Sequence, residues 1–351
     1  MTSAKKILIL FLLQTVFGAA LPGIEPCGAA PLAGTRRPNQ VALTREADLT
    51  VTTATLTSDI EFLTSDLCEG RATSQRGSVE AGFWIARRFR ALGLVPLEDH
   101  YAQSFPAGEH PAHNIVGMIP ATRPEGADRY IIVLAHYDNI GTLDGKLYPG
   151  ADSNASGVAV LLAVAQMFRY VTTHGGDAPC NIVFAALDAK QHSLAGAYAL
   201  WERISGGSLV DPFRARAIGK EDIALVANLD ILGSCSSPVT QSRPDYMIML
   251  GGTEAQRGLL HRLNIQYCTD LFLAYDYYGS PGFTDLFLNR VSDQKPFREH
   301  KVPSVMFTSG ITMQTNRDTD DISRIDFPVL HRRTRLIFHY LERFADSLAK
   351  K

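Results

Sequence analysis

The feature of this sequence that most constrains its fold is an alternation of short apolar runs with longer helical stretches. The apolar runs are unbroken, which is typical of strands buried on both faces of a sheet. We predict strands at residues 115–119, 130–135, Asn181–Leu187, Ile223–Leu229, 246–250 and Ser304–Thr308. Helical periodicity predicts helices at residues 59–68, 79–92, 157–170, 194–204, 254–263 and 328–348. Strands that alternate with helices predict an α/β fold, in which a mostly parallel mixed sheet is flanked by helices.

The first 45 residues carry different signals. Lys5 and Lys6 precede an apolar run at residues 7–17 and small residues at 18–20, a pattern typical of a cleaved secretory signal. The run is shorter than the roughly 20 residues that a membrane span needs. Prolines and glycines in residues 21–45 indicate a linker, which leaves one domain at 46–351. We therefore expect an exported protein without a membrane span after signal cleavage.

Composition excludes one class of partner. The chain of 351 residues has a formal net charge of -2 and 46% hydrophobic residues. These values are ordinary for a globular protein and offer no basic surface for nucleic acid. Nucleic-acid binding is therefore not expected.

Polar side chains collect where the predicted strands end. His136 and Asp138 follow one buried run, Asp230 follows another, and Asp152 lies at the start of a predicted helix. In open α/β sheets, ligands bind outside the carboxyl ends of the strands. One imidazole and two carboxylates suit a transition metal such as zinc, and Asp138 could orient the imidazole of His136. Taken singly, such residues are more often structural, so these are candidate ligands only.

Several segments in order resemble the zinc aminopeptidase family that includes bacterial leucyl aminopeptidases and glutaminyl cyclases. The matching motifs are Leu-x-Gly-Arg, Asn-Val-Ile-Gly, Ala-His-Tyr-Asp, Gly-Ala-Asp-Asp-Asn-Ala-Ser-Gly, Asn-Leu-Asp-Met-Ile-Gly, Ser-Asp-His and His-Thr-x-x-Asp-Thr, near residues 67–71, 113–120, 135–138, 150–157, 228–233, 292–303 and 314–326. The resemblance implies the zinc-exopeptidase fold. It also implies a site for two zinc ions bridged by Asp152, the first ion being held further by His136 and Asp230.

The second zinc site of that family departs from its pattern in this chain. Gln191 and Gln314 stand where the family has its other Glu and His ligands, and Lys190 stands at the general-base Glu. Gln294 replaces the His of Ser-Asp-His. Amides are poor zinc ligands, and a protonated lysine cannot accept a proton from water. We therefore expect one zinc ion or none, and impaired catalysis.

We further expect the ammonium of Lys190 to lie against Asp152 and replace missing metal charge. A degenerate aminopeptidase could still bind a peptide or an amino-terminal group, and we expect Gln294, Tyr277 and Tyr278 to line that cleft. An active hydrolase with a single metal at His136, Asp152 and Asp230 is the alternative, since one zinc ion can activate water. A third possibility is an interaction protein whose cleft is filled by residues 275–283.

Overall fold

The computed structural model describes residues 38–235, 240 and 243–348. In these ranges the helices are α1 Pro38–Thr50, α2 Thr53–Leu63, α3 Arg76–Ala91, α4 Gly157–Thr173, α5 Ala195–Ser205, α6 Glu254–Gln266, α7 Pro281–Asn289, α8 Lys295–Glu299 and α9 Phe327–Leu348. The strands are β1 Val95–Pro96, β2 Ala102–Ala107, β3 His110–Ile119, β4 Tyr130–His136, β5 Gly141–Leu143, β6 Lys146–Tyr148, β7 Asn181–Leu187, β8 Val210–Asp211, β9 Arg216–Ala217, β10 Ile223–Leu229, β11 Tyr246–Gly251, β12 Phe272–Ala274 and β13 Ser304–Thr308.

A mixed sheet forms the centre of the fold, in the order β1-β3-β7-β4-β10-β13-β11-β12, with β2 also paired to β3. The four central strands β7, β4, β10 and β13 are mutually parallel. Antiparallel pairing occurs toward the edges, between β3 and β7 and between β11 and β13. The carboxyl ends of the four central strands therefore meet at one edge of the sheet.

Helices cover both faces of this sheet. Along β4, Ile131 and Val133 face the larger core, which includes the buried sides of α2, α3, α4 and α9. Ile132 and Leu134 face the opposite core, which includes Leu200 of α5 and Phe297 of α8. This alternation follows from the two-residue period of a strand. The predicted α/β fold is thus confirmed, with parallel pairing concentrated at the centre of the sheet.

The chain departs from the predicted linker in its last part. Helix α1 begins at Pro38, within the stretch assigned to a linker, and its Leu43 and Ala47 are buried. Its Gln40 donates a hydrogen bond to Glu342 of α9 at 3.2 Å, so this helix belongs to the domain. The predicted signal at residues 1–20 and the rest of the linker up to residue 37 lie outside the described residues.

Helix α3 is amphipathic, but one of its apolar residues points away from the core. Ile85 and Phe89 are fully buried, as the helical pattern predicts. Phe83 lies two residues before Ile85 on the same helix but is 65% exposed. The helix therefore has an apolar side chain that the core does not cover.

One helical stretch among the described residues, Ala151–Thr173, is long and apolar enough to cross a membrane, with a mean hydropathy of 1.4. Of its most apolar window, 78% is buried inside the protein. Core helices of this kind pass the same test of length and composition as membrane spans.

Candidate active site

Three candidate metal ligands come together at the carboxyl edge of the central strands. His136 is the last residue of β4, Asp230 directly follows β10, and Asp293 lies between α7 and α8. One ligand atom from each of these buried side chains lies within 4.8 Å of the other two. We call these residues the His-Asp-Asp group. Asp293 was not among the residues singled out from the sequence.

The ammonium of Lys190 lies against this group. Lys190 follows β7, and its Nζ donates a short hydrogen bond to Oδ2 of Asp230. The same Nζ lies 3.6 Å from Oδ2 of Asp293. The expected pairing of Lys190 with Asp152 is therefore corrected, because the lysine side chain forms its ion pairs with Asp230 and Asp293.

Burial and ion pairing set the charges of these residues. Burial alone would lower the pKa of Lys190, but the charges of Asp230 and Asp293 outweigh it and raise that pKa. For Asp230, burial is outweighed by Lys190 and His136, which hold its pKa well below the usual range. Burial dominates at Asp293 and raises its pKa, although Lys190 acts in the opposite direction. The ammonium and the carboxylate of Asp230 thus stabilise each other's charged form.

His136 is positioned by its neighbour two residues on. Its Nδ1 lies 3.1 Å from the backbone oxygen of Asp138 and 3.5 Å from Oδ1 of that residue. Its Nε2 lies 3.4 Å from Oδ1 of Asp230. Burial and the charge of Lys190 lower the pKa of His136, but Asp138 and Asp230 outweigh them and raise it to about 9. Asp138 therefore lies beside the imidazole of His136, in the position predicted for the residue that orients this ring.

Asp152 lies apart from the His-Asp-Asp group and is held by a separate set of donors. Its Oδ1 accepts hydrogen bonds from the backbone of Gly233 at 2.6 Å and from Ser156 Oγ at 3.1 Å. Ser234 donates a short hydrogen bond to the other oxygen. A β-carbon at Gly233 would lie 2.4 Å from Ile325 Cδ1 and 3.0 Å from Asp152 Oδ1, so the lack of a side chain at this position favours the close approach of the backbone to the carboxylate. Three hydrogen-bond donors therefore bind the two oxygens of the Asp152 carboxylate.

The side chain of Asn154 connects the ends of β4 and β10 to the loop that carries Asp152. Its amide nitrogen donates to the backbone oxygens of His136 at 3.3 Å and Leu229 at 3.0 Å. Its amide oxygen accepts from the backbone of Ile231 at 2.9 Å. One buried side chain thus fixes the backbone on both sides of the candidate site.

The side chain of Arg71 connects several backbone segments of the same region by hydrogen bonds. This fully buried side chain donates to the backbone oxygens of Tyr137 at 2.7 Å and of Pro149 and Gly150 at 2.8 Å each, and it also bonds Leu63. A guanidinium has five donors in a fixed geometry, which suits several carbonyls at once. The arginine of the Leu-x-Gly-Arg motif is therefore structural and links the loops that carry His136 and Asp152.

A cleft of about 220 Å³ opens onto the His-Asp-Asp group. Its polar lining includes Lys190, Gln191 and Asn316, while Phe287 and Val291 form an apolar side. Gln191 is exposed, and its backbone nitrogen donates to Oδ2 of Asp138 at 3.1 Å. Gln314, the other glutamine at a position where the resembling family has a metal ligand, does not line this cleft.

Three residues expected to line the cleft lie behind its wall instead. Gln294 is fully buried; its amide donates to Phe287 and Leu288 backbone oxygens at 2.8 Å and accepts from Asn228. Tyr277 is buried and stacks on Phe287 with ring centroids 4.3 Å apart. The hydroxyl of Tyr278 donates to the backbone oxygen of Ser309 at 3.3 Å. Gln294 and Tyr277 thus contact Phe287 of α7, Tyr278 is bonded to the loop after β13, and none of the three is among the residues that line the cleft.

The donor atoms of the His-Asp-Asp group are of the types that bind zinc, but the charge of Lys190 opposes a metal ion there. His136 Nε2, Asp230 Oδ1 and both carboxylate oxygens of Asp293 are buried and have no hydrogen-bond partner among the described residues. Imidazole nitrogen and carboxylate oxygen are ordinary zinc ligands, so the donor types fit one ion. However, a dication and an ammonium about 4 Å apart repel each other by ~8 kcal/mol at an effective dielectric constant of ~20. The ammonium of Lys190 therefore opposes an ion that shares Asp230.

The sheet order and the buried group at its carboxyl edge define an α/β protein with a candidate active site at the ends of its central strands. The chain matches peptidase family M28 over residues 114–341, and it belongs to that family. It is 31% identical over 189 residues to the BOS complex subunit ncln of Danio rerio, covering 51% of this chain and 31% of the relative. It is 25% identical over 177 residues to the alkaline phosphatase isozyme conversion protein of Escherichia coli (strain K12), covering 46% and 47%. The chain thus matches about a third and about half of the lengths of these curated relatives.

Solved structures share the fold. The LapA aminopeptidase of Legionella pneumophila superposes with a TM-score of 0.66 at 14% identity, covering 92% of this chain and 78% of that one. BSAP, a zinc aminopeptidase from Bacillus subtilis, gives 0.61 at 12% identity, covering 83% and 95%. The glutaminyl cyclase of Macrostomum lignano gives 0.60 at 14% identity, covering 90% and 96%. At these identities the likeness concerns the fold alone.

Proposed function

We propose that this chain is an exported member of peptidase family M28 that has lost peptide hydrolysis and binds a polypeptide segment in its cleft. The observation that carries the proposal is the position of Lys190. Its ammonium pairs with two acids of the His-Asp-Asp group, Asp230 and Asp293. The chain itself thus supplies a positive charge where a metal site would need one.

The loss of catalysis follows from the groups that surround the cleft. Lys190 stands at the general-base position of the resembling family, and a lysine whose pKa is raised does not accept a proton at neutral pH. Gln191 and Gln314 offer neutral amides at the ligand positions of a second ion. Gln314 also lies away from the cleft lining. A two-metal hydrolysis therefore lacks both its base and its second ion.

The cleft supports recognition of a polypeptide. Asn316 and Gln191 offer donors and acceptors for a peptide backbone, and Phe287 and Val291 offer an apolar wall for a side chain. Peptides are also the ligand class of the aminopeptidases among the solved structures that share this fold. Export is proposed from the pattern of charged, apolar and small residues at positions 1–20.

Metal content and turnover test the proposal. The purified mature protein is dialysed against zinc and then against metal-free buffer, bound metal is measured by mass spectrometry, and a panel of aminoacyl anilides is assayed. We expect substoichiometric zinc and no turnover. One zinc ion per chain together with turnover that Asp230→Ala abolishes would overturn the proposal.

The second candidate function is a hydrolase with one metal ion. It is favoured by the buried, unpartnered donor atoms of His136, Asp230 and Asp293, and in this version Asp293 takes the ligand position that the sequence assigned to Asp152. Asp293→Asn should then abolish zinc binding, whereas Asp152→Asn should leave the zinc content unchanged. Under the main proposal, neither substitution changes the zinc content.

A further inference from the structure

A second concave surface lies at the edge of the sheet opposite to the candidate active site. We call it the arginine pocket. It has a volume of about 580 Å³, and its lining includes Ala224 at the start of β10 and Pro303 just before β13. The His-Asp-Asp group lies at the other end of these strands, and a strand of seven residues such as β10 spans ~23 Å. A ligand in the arginine pocket is therefore remote from the cleft.

Three arginines from separate parts of the chain line this pocket. Arg129 precedes β4, Arg262 lies on α6 and Arg343 lies on α9. Asp346, which also lines the pocket, lies 3.2 Å from Nη1 of Arg343 and 3.5 Å from Nη1 of Arg123. Within the described part of the chain, neither Arg129 nor Arg262 forms an ion pair. The pocket therefore presents two guanidinium groups that no carboxylate among those residues neutralises.

Neighbouring residues hold these two guanidinium groups at the pocket. The side chain of Arg262 points back along α6, since a β-carbon at Gly258, one turn earlier, would lie 3.2 Å from its Nη1. On another wall, Nη1 of Arg129 donates a hydrogen bond to the backbone oxygen of Glu221 at 3.1 Å. A guanidinium has five N–H donors, so this single bond positions Arg129 and leaves donors for a ligand.

The start of α6 adds a backbone donor and the beginning of an apolar wall. Thr253, Ala255 and Gln256 line the pocket, and the capping box of α6 engages the backbone nitrogens of Thr253 and Gln256. The second N–H of a helix has no partner within the helix, so that of Ala255 favours an anion. Leu259 and Phe344 form an apolar part of the same lining. The pocket thus combines donors for an anion with a surface for an apolar group.

We propose that the arginine pocket binds a soluble phosphate monoester with an apolar body. Arg129 and Arg262 hold the phosphoryl group, and the apolar body lies against Leu259 and Phe344. A phosphoryl group offers three oxygens and a charge of about −1.5 to −2 at pH 7, so it can accept hydrogen bonds from two guanidinium groups at once. A carboxylate offers two oxygens and one charge, which a single guanidinium satisfies.

The shape of the pocket favours a small molecule over a lipid surface. Its volume lies within the range of about 300–1,000 Å³ that is typical of small-molecule sites. The large apolar side chains of its lining, Leu259, Phe344 and Leu348, are half-buried rather than protruding. Membrane-surface binding requires apolar side chains that enter the bilayer, so these residues suit a ligand that enters the pocket instead.

Calorimetric titration of the purified mature protein with phenyl phosphate tests this proposal. Inorganic phosphate and phenyl sulfate are titrated for comparison. We expect phenyl phosphate to bind at one site per chain and about tenfold more tightly than either, because inorganic phosphate lacks the apolar body and phenyl sulfate has only one negative charge. Arg129→Gln and Arg262→Gln should each weaken binding by about tenfold, and the double variant by about a hundredfold. Leu259→Ser should reduce the preference for phenyl phosphate over inorganic phosphate.

Matched controls separate the pocket from general surface charge. Arg90 is an exposed arginine of α3 outside the pocket, so Arg90→Gln should leave the affinity unchanged. Arg262→Lys keeps the charge but loses the planar pair of donors, so its loss of affinity should be smaller than that of Arg262→Gln.

Three results would overturn the proposal. The first is no saturable binding of phenyl phosphate, or an unchanged affinity in the double variant. The second is equal affinity for phenyl sulfate, which would exclude recognition of a phosphoryl group by its charge. The third is sedimentation with phosphatidic acid vesicles that depends on Arg129 and Arg262 without binding of phenyl phosphate, which would assign the pocket to a lipid headgroup.

Discussion

Replacing Lys190 by methionine removes one charge from a buried cluster and leaves the shape of the side chain nearly unchanged. In the folded protein, Asp230 and Asp293 expose only 4% and 1% of their side chains, so neither carboxylate can be solvated in place of its partner. Removing one member of a buried ion pair costs about 3–5 kcal/mol. Because the Lys190 side chain is 16% exposed to the cleft, we expect the lower end of this range, ~3 kcal/mol.

Thermal and urea unfolding measure this loss. For a domain of this size, each kcal/mol corresponds to roughly 2 °C, so Lys190→Met should lower Tm by about 6 °C. Adding Asp293→Asn to Lys190→Met removes one uncompensated carboxylate, and the double variant should be more stable than Lys190→Met alone. An unchanged Tm in Lys190→Met, or no recovery in the double variant, would refute the assignment of Lys190 as the counter-charge of the two acids.

Three further perturbations follow from the described contacts. Arg71→Lys should destabilise the protein by at least ~2 kcal/mol in urea unfolding, since one ammonium cannot reach the four carbonyls that Arg71 bonds; equal stability would contradict a structural role. Burial raises the pKa of Asp59 to about 6, despite the opposing charge of Arg88, so its contribution to stability is present below pH ~4 and is lost as the pH rises toward 6. Asp59→Asn should therefore gain stability relative to the unmodified protein between pH 4 and 7, measured by urea unfolding at each pH, and a constant difference would contradict this. Gly233→Ala should cost about 1–3 kcal/mol because its β-carbon meets Ile325, whereas Gly282→Ala, with open space around it, should leave Tm unchanged or higher.

Much of the sheet could be predicted because strands buried on both faces read as continuous apolar runs. The predicted bounds of Asn181–Leu187, Ile223–Leu229 and Ser304–Thr308 coincide with those of β7, β10 and β13. Helix α1 was missed because its sequence contains prolines nearby and few strong apolar residues, and its stability comes from tertiary contacts such as that of Gln40 with Glu342. Phe83 could not be assigned to the surface, because helical periodicity does not show which apolar face meets the core.

The candidate site was predictable where its residues follow strands. His136 and Asp230 were identified from their positions at strand ends, and the structure brings them together. Asp293 was missed because it lies in a turn between two helices, although it belongs to the Ser-Asp-x segment that carried part of the resemblance. The predicted pairing of Lys190 with Asp152 was wrong. A lysine side chain spans several ångströms, and no sequence pattern specifies whether it reaches Asp152, Asp230 or Asp293.

The ion pair of Lys190 has a consequence for how the cluster depends on its surroundings. A bound metal ion leaves and returns according to its concentration in solution, so its occupancy falls on dilution or with a chelator. The ammonium of Lys190 is covalently attached to the chain, so its effective concentration beside Asp230 is set by the length of its own side chain. The positive charge that Asp230 and Asp293 receive from Lys190 is therefore the same in a metal-poor compartment as in a metal-rich one.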